Sequence, residues 1–312
     1  MPKVSIITPC FNSEAFITQT IQSVQTQIFK DWEHIVVDDG SRDRSVEIIQ
    51  ANLSKDSNVR LVQQQNFGVA RARNVGHNNS SPDSKYLLFL DGDDFVKPEM
   101  LELMVSYLDR HPDVGVLYCD RTYTNADGEP IETPKFARYE PTRWGIRTIS
   151  PSEPETPFSA VFNLAPIIPS VSLIRRSVYK QTEGWDEEFG QHYEDTNLFL
   201  NLAIRSRVHY IDQPLVYYRR HGNQSTASDD GKFLIQEKKL YDLWLNKKDL
   251  TLQQIKLVNE AWRFRTGRFE ACIGFQSGNR LLRKGDVLKA IWFYCGAFRR
   301  YFISLLSSIN VS

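Results

Sequence analysis

The sequence predicts an α/β fold built on a doubly wound, mostly parallel sheet. Short apolar runs alternate with stretches of helical periodicity through roughly the first ninety residues. Two of those runs end directly in acidic clusters, Asp38-Asp39 and Asp91 to Asp94. In an open parallel sheet, ligands gather at such carboxyl ends of strands.

The elements follow in order. Val4 to Thr8 read as a buried strand ended by Pro9, with Asn12 or Ser13 placed to cap the next element. Phe16, Ile17, Thr20, Ile21 and Val24 then recur at helical spacing. His34 to Val37 form a second strand. Val46, Ile49 and Leu53 share one face of a second helix, and Val59 to Val62 form a third strand. Gly68 to Asn78 read as a helix, and Tyr86 to Leu90 as a fourth strand. After Pro98, Met100, Leu101, Met104, Val105 and Leu108 mark another helix, followed by a strand from Val114 to Cys119. Asn125-Ala-Asp-Gly128 signals a hairpin turn.

The character then changes. Eight of the 14 prolines fall between Pro130 and Pro169, which predicts a long loop of the kind that forms lids or binding segments. Ser170 to Ile174 return to a strand and Glu194 to Ile204 to a helix. Val208 to Ile211 and Leu215 to Tyr218 read as two short strands around Pro214. Beyond about residue 226 the pattern is helical, over 233–244, 252–271 and 286–306. The last stretch is rich in aromatics, with Arg299 and Arg300 among them. It fits either a helical hairpin packed on the main domain or a face touching a membrane or partner. The expected organisation is therefore a main domain over 1–225 and a helical extension over 226–312.

Composition narrows the class. The chain has 312 residues, 41% of them hydrophobic, and 38 basic residues balance 38 acidic ones. That neutrality gives no steering towards nucleic acid. Cys10, Cys119, Cys272 and Cys295 form no CxxC pair, so reduced thiols are expected rather than zinc or a disulfide framework. No apolar stretch reaches the length of a membrane span, and Met1-Pro-Lys-Val-Ser leads straight into a strand. A cytoplasmic protein is expected, with peripheral membrane contact through the last helix left open.

Tyr86-Leu-Leu-Phe-Leu-Asp-Gly-Asp-Asp94 carries the strongest chemical signal. A core strand running into three carboxylates needs a cation or water at its end, because burying unpaired charge is costly. Carboxylate oxygens suit Mg²⁺ or Mn²⁺, which take one or two such ligands plus substrate phosphates. Taken alone, the stretch fits equally an acidic turn at a helix N-terminus.

Taken together, the motifs resemble those of the family 2 glycosyltransferases with the GT-A fold. They are Val4-Ser-Ile-Ile-Thr-Pro-Cys-Phe-Asn12, Val36-Val-Asp-Asp-Gly-Ser41, Gly68-Val-Ala-Arg-Ala-Arg-Asn74 and Phe89-Leu-Asp-Gly-Asp-Asp94, then Gly184-Trp-Asp-Glu187, Glu194-Asp195 and Tyr218-Arg-Arg-His221. The resemblance covers roughly residues 3 to 225 and implies transfer of a sugar from a nucleotide-sugar donor to a hydroxyl of a glycan, glycolipid or other acceptor. It implies that Asp93 holds Mn²⁺ or Mg²⁺ and that Asp91 helps through the metal or the donor ribose, with Asp94 behind them or capping a helix. Asp39 is expected against the nucleoside base, UDP being favoured, with the Thr8 and Pro9 backbone walling that pocket.

By the same resemblance, Arg73 is a candidate partner for the diphosphate. Arg71 points about 200° away on a helix, so only one of the two is expected to face the site. Asp195 is the expected general base, implying inversion at the anomeric carbon, with Glu194 beside it and towards the acceptor. His221 is a candidate for closing over the diphosphate or metal. Trp185 is a candidate for stacking on a sugar, or equally a core residue. The processive synthases of the family add QxxRW and membrane spans, and neither is present, so addition of a single sugar to surface polysaccharide or glycoconjugate precursors is expected. Competing readings are a sugar-phosphate nucleotidyltransferase, whose Gly- and basic-rich N-terminal signature is missing, and a degenerate transferase domain serving as a scaffold.

Overall fold

The structure is a computed structural model. It describes residues 1–53, 58–132, 155–156, 158, 161, 167–189, 193–222, 232–247 and 250–262, and residues 287, 289, 291 and 295. The first half alternates as the sequence predicts: β1 (Val4–Cys10), α1 (Ile17–Gln25), β2 (Trp32–Asp38), α2 (Ser45–Leu53), β3 (Val59–Gln63), α3 (Val69–Asn78) and β4 (Tyr86–Phe89). Then come a two-residue β5 (Phe95–Val96), α4 (Met100–Arg110) and β6 (Val114–Thr124). After the proline-rich stretch follow β7 (Ser172–Arg175), α5 (Arg176–Tyr179), α6 (Glu194–Ala203), β8 (Arg207–Arg219) and α7 (Lys232–Leu245).

One eight-stranded sheet joins them in the order β3-β2-β1-β4-β7-β6-β8-β5. β1 pairs in parallel with β2 and β4, and β2 with β3. The second half is mixed: β7 is antiparallel to β4 and β6, β8 is parallel to β6, and β5 is antiparallel to β8. β1 and β2 are buried at every residue, as strands covered on both faces must be.

α3 lies unusually close to β1. A Cβ added to Gly76 would meet Ile7 Cγ2 at 2.3 Å. The small Ala70 and Ala72 are likewise buried on this helix, so its backbone and Arg73 are pressed onto the sheet.

Three elements differ from expectation. The first strand is not ended by Pro9 but runs through it, opposite Val37, to Cys10. The two short strands around Pro214 are one thirteen-residue strand. Pro214 sits opposite Asp120 at a register irregularity, where its missing N–H breaks no regular ladder. The first helix has no side-chain cap from Asn12 or Ser13; instead the Ser13 carbonyl accepts from the N–H groups of Phe16 and Ile17.

The expected boundary between 225 and 226 lies outside the described residues, as do most of 130–169 and 286–306. What is described of the extension docks on the main body. Trp244 is fully buried, its Nε1 donates to Asn197 Oδ1 at 3.0 Å, and Leu240, Val258 and Ala261 are buried with it. Residues 252–262 are helical. Cys10, Cys119 and Cys295 are free thiols. Among the described residues, no helix is long and apolar enough to cross a membrane.

Candidate active site

β1, β2 and β4 end on one edge of the sheet, and their last residues deliver the acidic groups there. Asp38 and Asp39 close β2, and both are buried. The Asp38 carboxylate accepts the Ser41 N–H and holds the turn. Asp39 Oδ1 accepts from Gln64 Nε2 at 2.7 Å and from the Phe67 N–H at 2.9 Å, and its Oδ2 accepts from the Gly68 N–H at 2.9 Å. Asp39 therefore organises the loop entering α3, and Oδ2 keeps acceptor capacity for one more donor.

Thr8 points inward. Its hydroxyl shares a 2.8 Å hydrogen bond with His34 Nε2, and burial pushes His34 down to about 3, keeping it neutral. With its side chain engaged in this way, Thr8 has only its backbone left to offer a ligand. Two exposed aromatic residues follow in the same loops, Phe67, whose N–H Asp39 accepts, at 56% exposure, and Phe11, next to the Cys10 carbonyl that accepts the Asp39 N–H, at 46%. Their signal in sequence was an apolar residue within a polar loop.

Gly92 lets the two acidic residues around it approach β1. A Cβ there would sit 2.9 Å from the Pro9 carbonyl oxygen, a backbone atom with little room to yield. Asp91 and Asp93 keep about a quarter of their side-chain surface open, at 26% and 27%. Asp94 turns inward: its Oδ1 accepts the Arg219 N–H, and its Oδ2 is buried without a partner. Burial, with Asp93 and Asp91 nearby, raises its carboxyl well above the ordinary range. Burial raises Asp91 as well, opposed by Arg73 and reinforced by Asp93.

His221 Nε2 lies 3.0 Å from Asp93 Oδ2, and its ring packs 4.5 Å from Phe16. Arg219 Nε donates to the Asp93 carbonyl at 2.8 Å while its terminal nitrogens donate to the Ala126 carbonyl and to Gln19 Oε1. This nearly buried guanidinium fixes the Asp93 backbone, a part that the Arg-x-His pattern alone did not assign. Ser170, just past the proline-rich stretch, accepts the Asp91 N–H on its Oγ at 3.1 Å. No local pattern signals that contact.

Two expected roles meet a different geometry, and a third residue takes one of its two expected places. Arg73 is only 3% exposed; Nη2 donates to Asp91 Oδ1 at 2.7 Å and Nη1 to Glu194 Oε1 at 3.2 Å. Both terminal nitrogens are thus engaged by carboxylates, so Arg73 acts as a strut rather than as an open diphosphate contact. Trp185, expected to stack on a sugar or to fill core, is core: it is 2% exposed, with the Arg73 guanidinium 4.3 Å over its ring. Glu194 faces Arg73 instead of an acceptor and is 6% exposed. Burial, then the Asp195 charge, pushes its carboxyl up to about 7 against the pull of Arg73. Arg71 is on the outside, 3.3 Å from Glu187, so one arginine of the pair faces inward, as the helical period required.

Asp195 opens α6 beside Glu194, and its charge is felt at both Asp91 and Arg73. Its Oδ1 accepts the Thr196 N–H at 2.6 Å, leaving Oδ2 for other donors. Tyr193, just before the helix, has φ 71°, left-handed backbone that a bulky residue rarely adopts. That turn starts the helix abruptly and sets the direction in which its first carboxylates project. Asn12, at the end of β1, is the other non-glycine residue with positive φ among those described, and both border the site.

Comparison with known proteins decides the family. Residues 5–182 match the model described as Glycosyl transferase family 2. The chain belongs to that family. Glycosyltransferase GlyG of Streptococcus pneumoniae is 24% identical over 277 residues, covering 82% of this chain and 85% of that protein. An uncharacterized glycosyltransferase of Haemophilus influenzae is 40% identical over 109 residues, 35% of this chain and 43% of its own length; the match thus spans less than half of that relative. Among solved structures, S. aureus TarS 1-349 in complex with UDP-GlcNAc superposes with a TM-score of 0.65 at 18% identity, covering 96% of this chain and 92% of that one. The mannosyltransferase PcManGT from Pyrobaculum calidifontis, in complex with GDP-Man and Mn2+, superposes at 0.54 and 15% identity, over 100% of this chain and 76% of that one. The mixed sheet is thus the GT-A architecture that the motifs implied.

Proposed function

We propose that this family 2 chain is an inverting, metal-dependent glycosyltransferase that moves a sugar from a nucleoside diphosphate donor, UDP-sugar favoured, to an acceptor hydroxyl. Surface polysaccharide or glycoconjugate synthesis is the setting that suits it. One observation carries the reading: Arg73 joins Asp91, at the end of β4, to Glu194, beside Asp195 on α6. Acidic groups from distant parts of the chain are thereby brought to one place. The ligands named for TarS and PcManGT, a UDP-sugar and a GDP-sugar with Mn2+, support the same chemistry here.

Each residue then has a task. Asp39 Oδ2 accepts from a base N–H, with the Thr8–Pro9 backbone and the rings of Phe11 and Phe67 as walls. Asp93 and Asp91 would hold the divalent cation, with His221, 3.0 Å from Asp93, closing over the diphosphate or the metal. Among the described residues no group of three or more such side chains is close enough to cage a metal. The Asp91 and Asp93 carboxylates, each about a quarter open, nonetheless fit a cation that takes its remaining ligands from phosphate and water. When bound, Mn²⁺ or Mg²⁺ supplies positive charge to the departing diphosphate. Asp195 takes the proton from the acceptor hydroxyl, whose oxygen attacks the anomeric carbon opposite the leaving group and inverts it.

Thermal unfolding with UDP, GDP, CDP or dTDP, each with and without Mn²⁺, tests the reading. Saturation at about a hundred times Kd stabilises the native state by about 2.7 kcal/mol. A metal-dependent rise with UDP above the others is expected. No rise with any nucleotide would remove the donor site and with it the proposed activity.

A further inference from the structure

The same sheet edge continues past the carboxylates to the ends of β6 and β8, where two arginines have no assigned task. Tyr123 and Tyr218 are neighbours in the parallel register of these strands, with rings 5.5 Å apart, edge to face. Both guanidinium groups lie over this pair. Arg121 is 5.4 Å from the Tyr123 ring and 5.7 Å from the Tyr218 ring; Arg220 is 5.2 Å and 5.6 Å from the same two. Arg121 donates Nε to the Tyr123 hydroxyl at 3.0 Å. Neither guanidinium is paired with a carboxylate among the described residues.

Such an arrangement is unusual in a chain whose charges balance. Two cations held on one pair of rings repel each other; Asp94, Asp91 and Asp93 are felt at the Tyr218 hydroxyl, but among the described residues no carboxylate meets either guanidinium directly. Arg121 spends its Nε–H on the Tyr123 hydroxyl, and the remaining N–H groups of the two forks suit planar or tetrahedral oxyanions. Holding the forks on rings also removes part of the ordering cost of binding.

The position says what such an anion belongs to. Arg220 stands between Arg219, which fixes the Asp93 backbone, and His221, which meets the Asp93 carboxylate. Tyr218 is near enough to the acidic cluster that, after burial, Asp94, Asp91 and Asp93 raise its hydroxyl above the ordinary range. In the sheet order, β6 and β8 lie on the far side of β4 from β2, whose end carries Asp39. The arginines are thus beside the acidic cluster, on the side of β4 away from Asp39, the side that the base of a donor leaves free.

We propose that Arg121 and Arg220, held on Tyr123 and Tyr218, bind an oxyanion carried by the acceptor, so that the acceptor is a phosphate- or carboxylate-bearing glycan or polymer rather than a neutral sugar. The word acceptor rests on the glycosyltransferase reading above; the anion site itself does not. Binding of inorganic polyphosphate, polygalacturonate and neutral dextran to the full chain, with UDP saturating, is the test. The wild type is expected to bind a polyanion in a salt-sensitive way and to ignore dextran. Which polyanion binds better distinguishes phosphate from carboxylate.

The double variant Arg121→Gln/Arg220→Gln is expected to lose affinity by about tenfold or more, roughly the worth of one charge-assisted contact, with UDP affinity unchanged. If that variant does not fold, the single variants Arg220→Gln and Arg121→Lys carry the same comparison, each expected to lose about threefold or more. Polyanion binding that survives the substitutions, or that the wild type lacks, overturns the proposal. So does a parallel loss of UDP affinity, which would make the arginines donor contacts. A wild type that binds a polyanion but no nucleotide instead overturns the donor reading and leaves the anion site standing.

Discussion

Glu194 Oε1 accepts from Arg73 Nη1 at 3.2 Å, and this contact ties the helix of the proposed base to the helix pressed against β1. The other arm of Arg73 holds Asp91 at 2.7 Å, and the side chain is only 4% exposed. Removing it leaves two carboxylates facing each other without their shared cation. Arg73→Ala is expected to cost about 3–5 kcal/mol of unfolding free energy, the range for breaking a buried pair from one side. Arg73→Lys should recover little, because one ammonium neither spans both carboxylates nor lies flat on Trp185. Urea unfolding measures both; a loss below about 1 kcal/mol for the alanine variant would show that the strut carries no weight.

Glu194 also makes stability depend on pH. Its carboxyl stands at about 7 in the folded chain, raised from 4.5, first by burial and then by Asp195. The folded state keeps a proton that the unfolded state releases, so this contribution is full below about pH 4.5 and lost as pH rises through about 7. Glu194→Gln keeps the shape and removes the titration. It should flatten the decline over that window by roughly 3 kcal/mol. Asp91 and Asp94 are raised too and slope the same way in both proteins, so the difference isolates Glu194. Parallel urea midpoints against pH for the two proteins would refute the assignment.

Legibility differed between the two halves of the fold. The parallel half could be read because its strands are short apolar runs, two of them running into Asp38-Asp39 and Asp91, and each helix keeps one apolar face. Met100, Leu101, Met104, Val105 and Leu108 were expected on one face and all are buried. The mixed half was harder, because β7 reaches β4 and β6 only after the long proline-rich stretch, and strand direction leaves no periodic trace. Residue types at the site were legible from order and spacing, but the direction of each side chain was not. Arg73 and Trp185 stand in motifs that imply ligands, yet they stack on each other, a contact set by α3 pressing on β1 around Gly76. Asp39 spends its oxygens on Gln64, Phe67 and Gly68, contacts set by a loop closure that a linear motif does not encode.

Trp244 tests whether the C-terminal helices belong to the same folding unit. Its fully buried indole donates to Asn197 on α6, and Lys247 reaches Asn201 on the same helix at 2.8 Å. Trp244→Ala opens a large cavity and leaves Asn197 short of a donor, so a loss of about 3–5 kcal/mol is expected in urea unfolding. A two-step transition with an unchanged second step would instead mark α7 as a separate, weakly attached unit.

Asp195→Asn separates binding from chemistry. The amide keeps an oxygen for the Thr196 N–H, which Asp195 Oδ1 now accepts at 2.6 Å, so α6 should start as before. An amide accepts no proton from a hydroxyl, and the loss of a positioned base costs on the order of 10²–10⁴ in rate. The variant is therefore expected to bind UDP with Mn²⁺ as the wild type does while its kcat falls by that factor. Asp93→Ala should show the reverse pattern, with the metal dependence of nucleotide binding lost at the first step. If Asp195→Asn turned over at the wild-type rate, the proton would have to leave by another group. Asp91 and Glu194, both with raised carboxyls and both held by Arg73, would then be the residues to replace next.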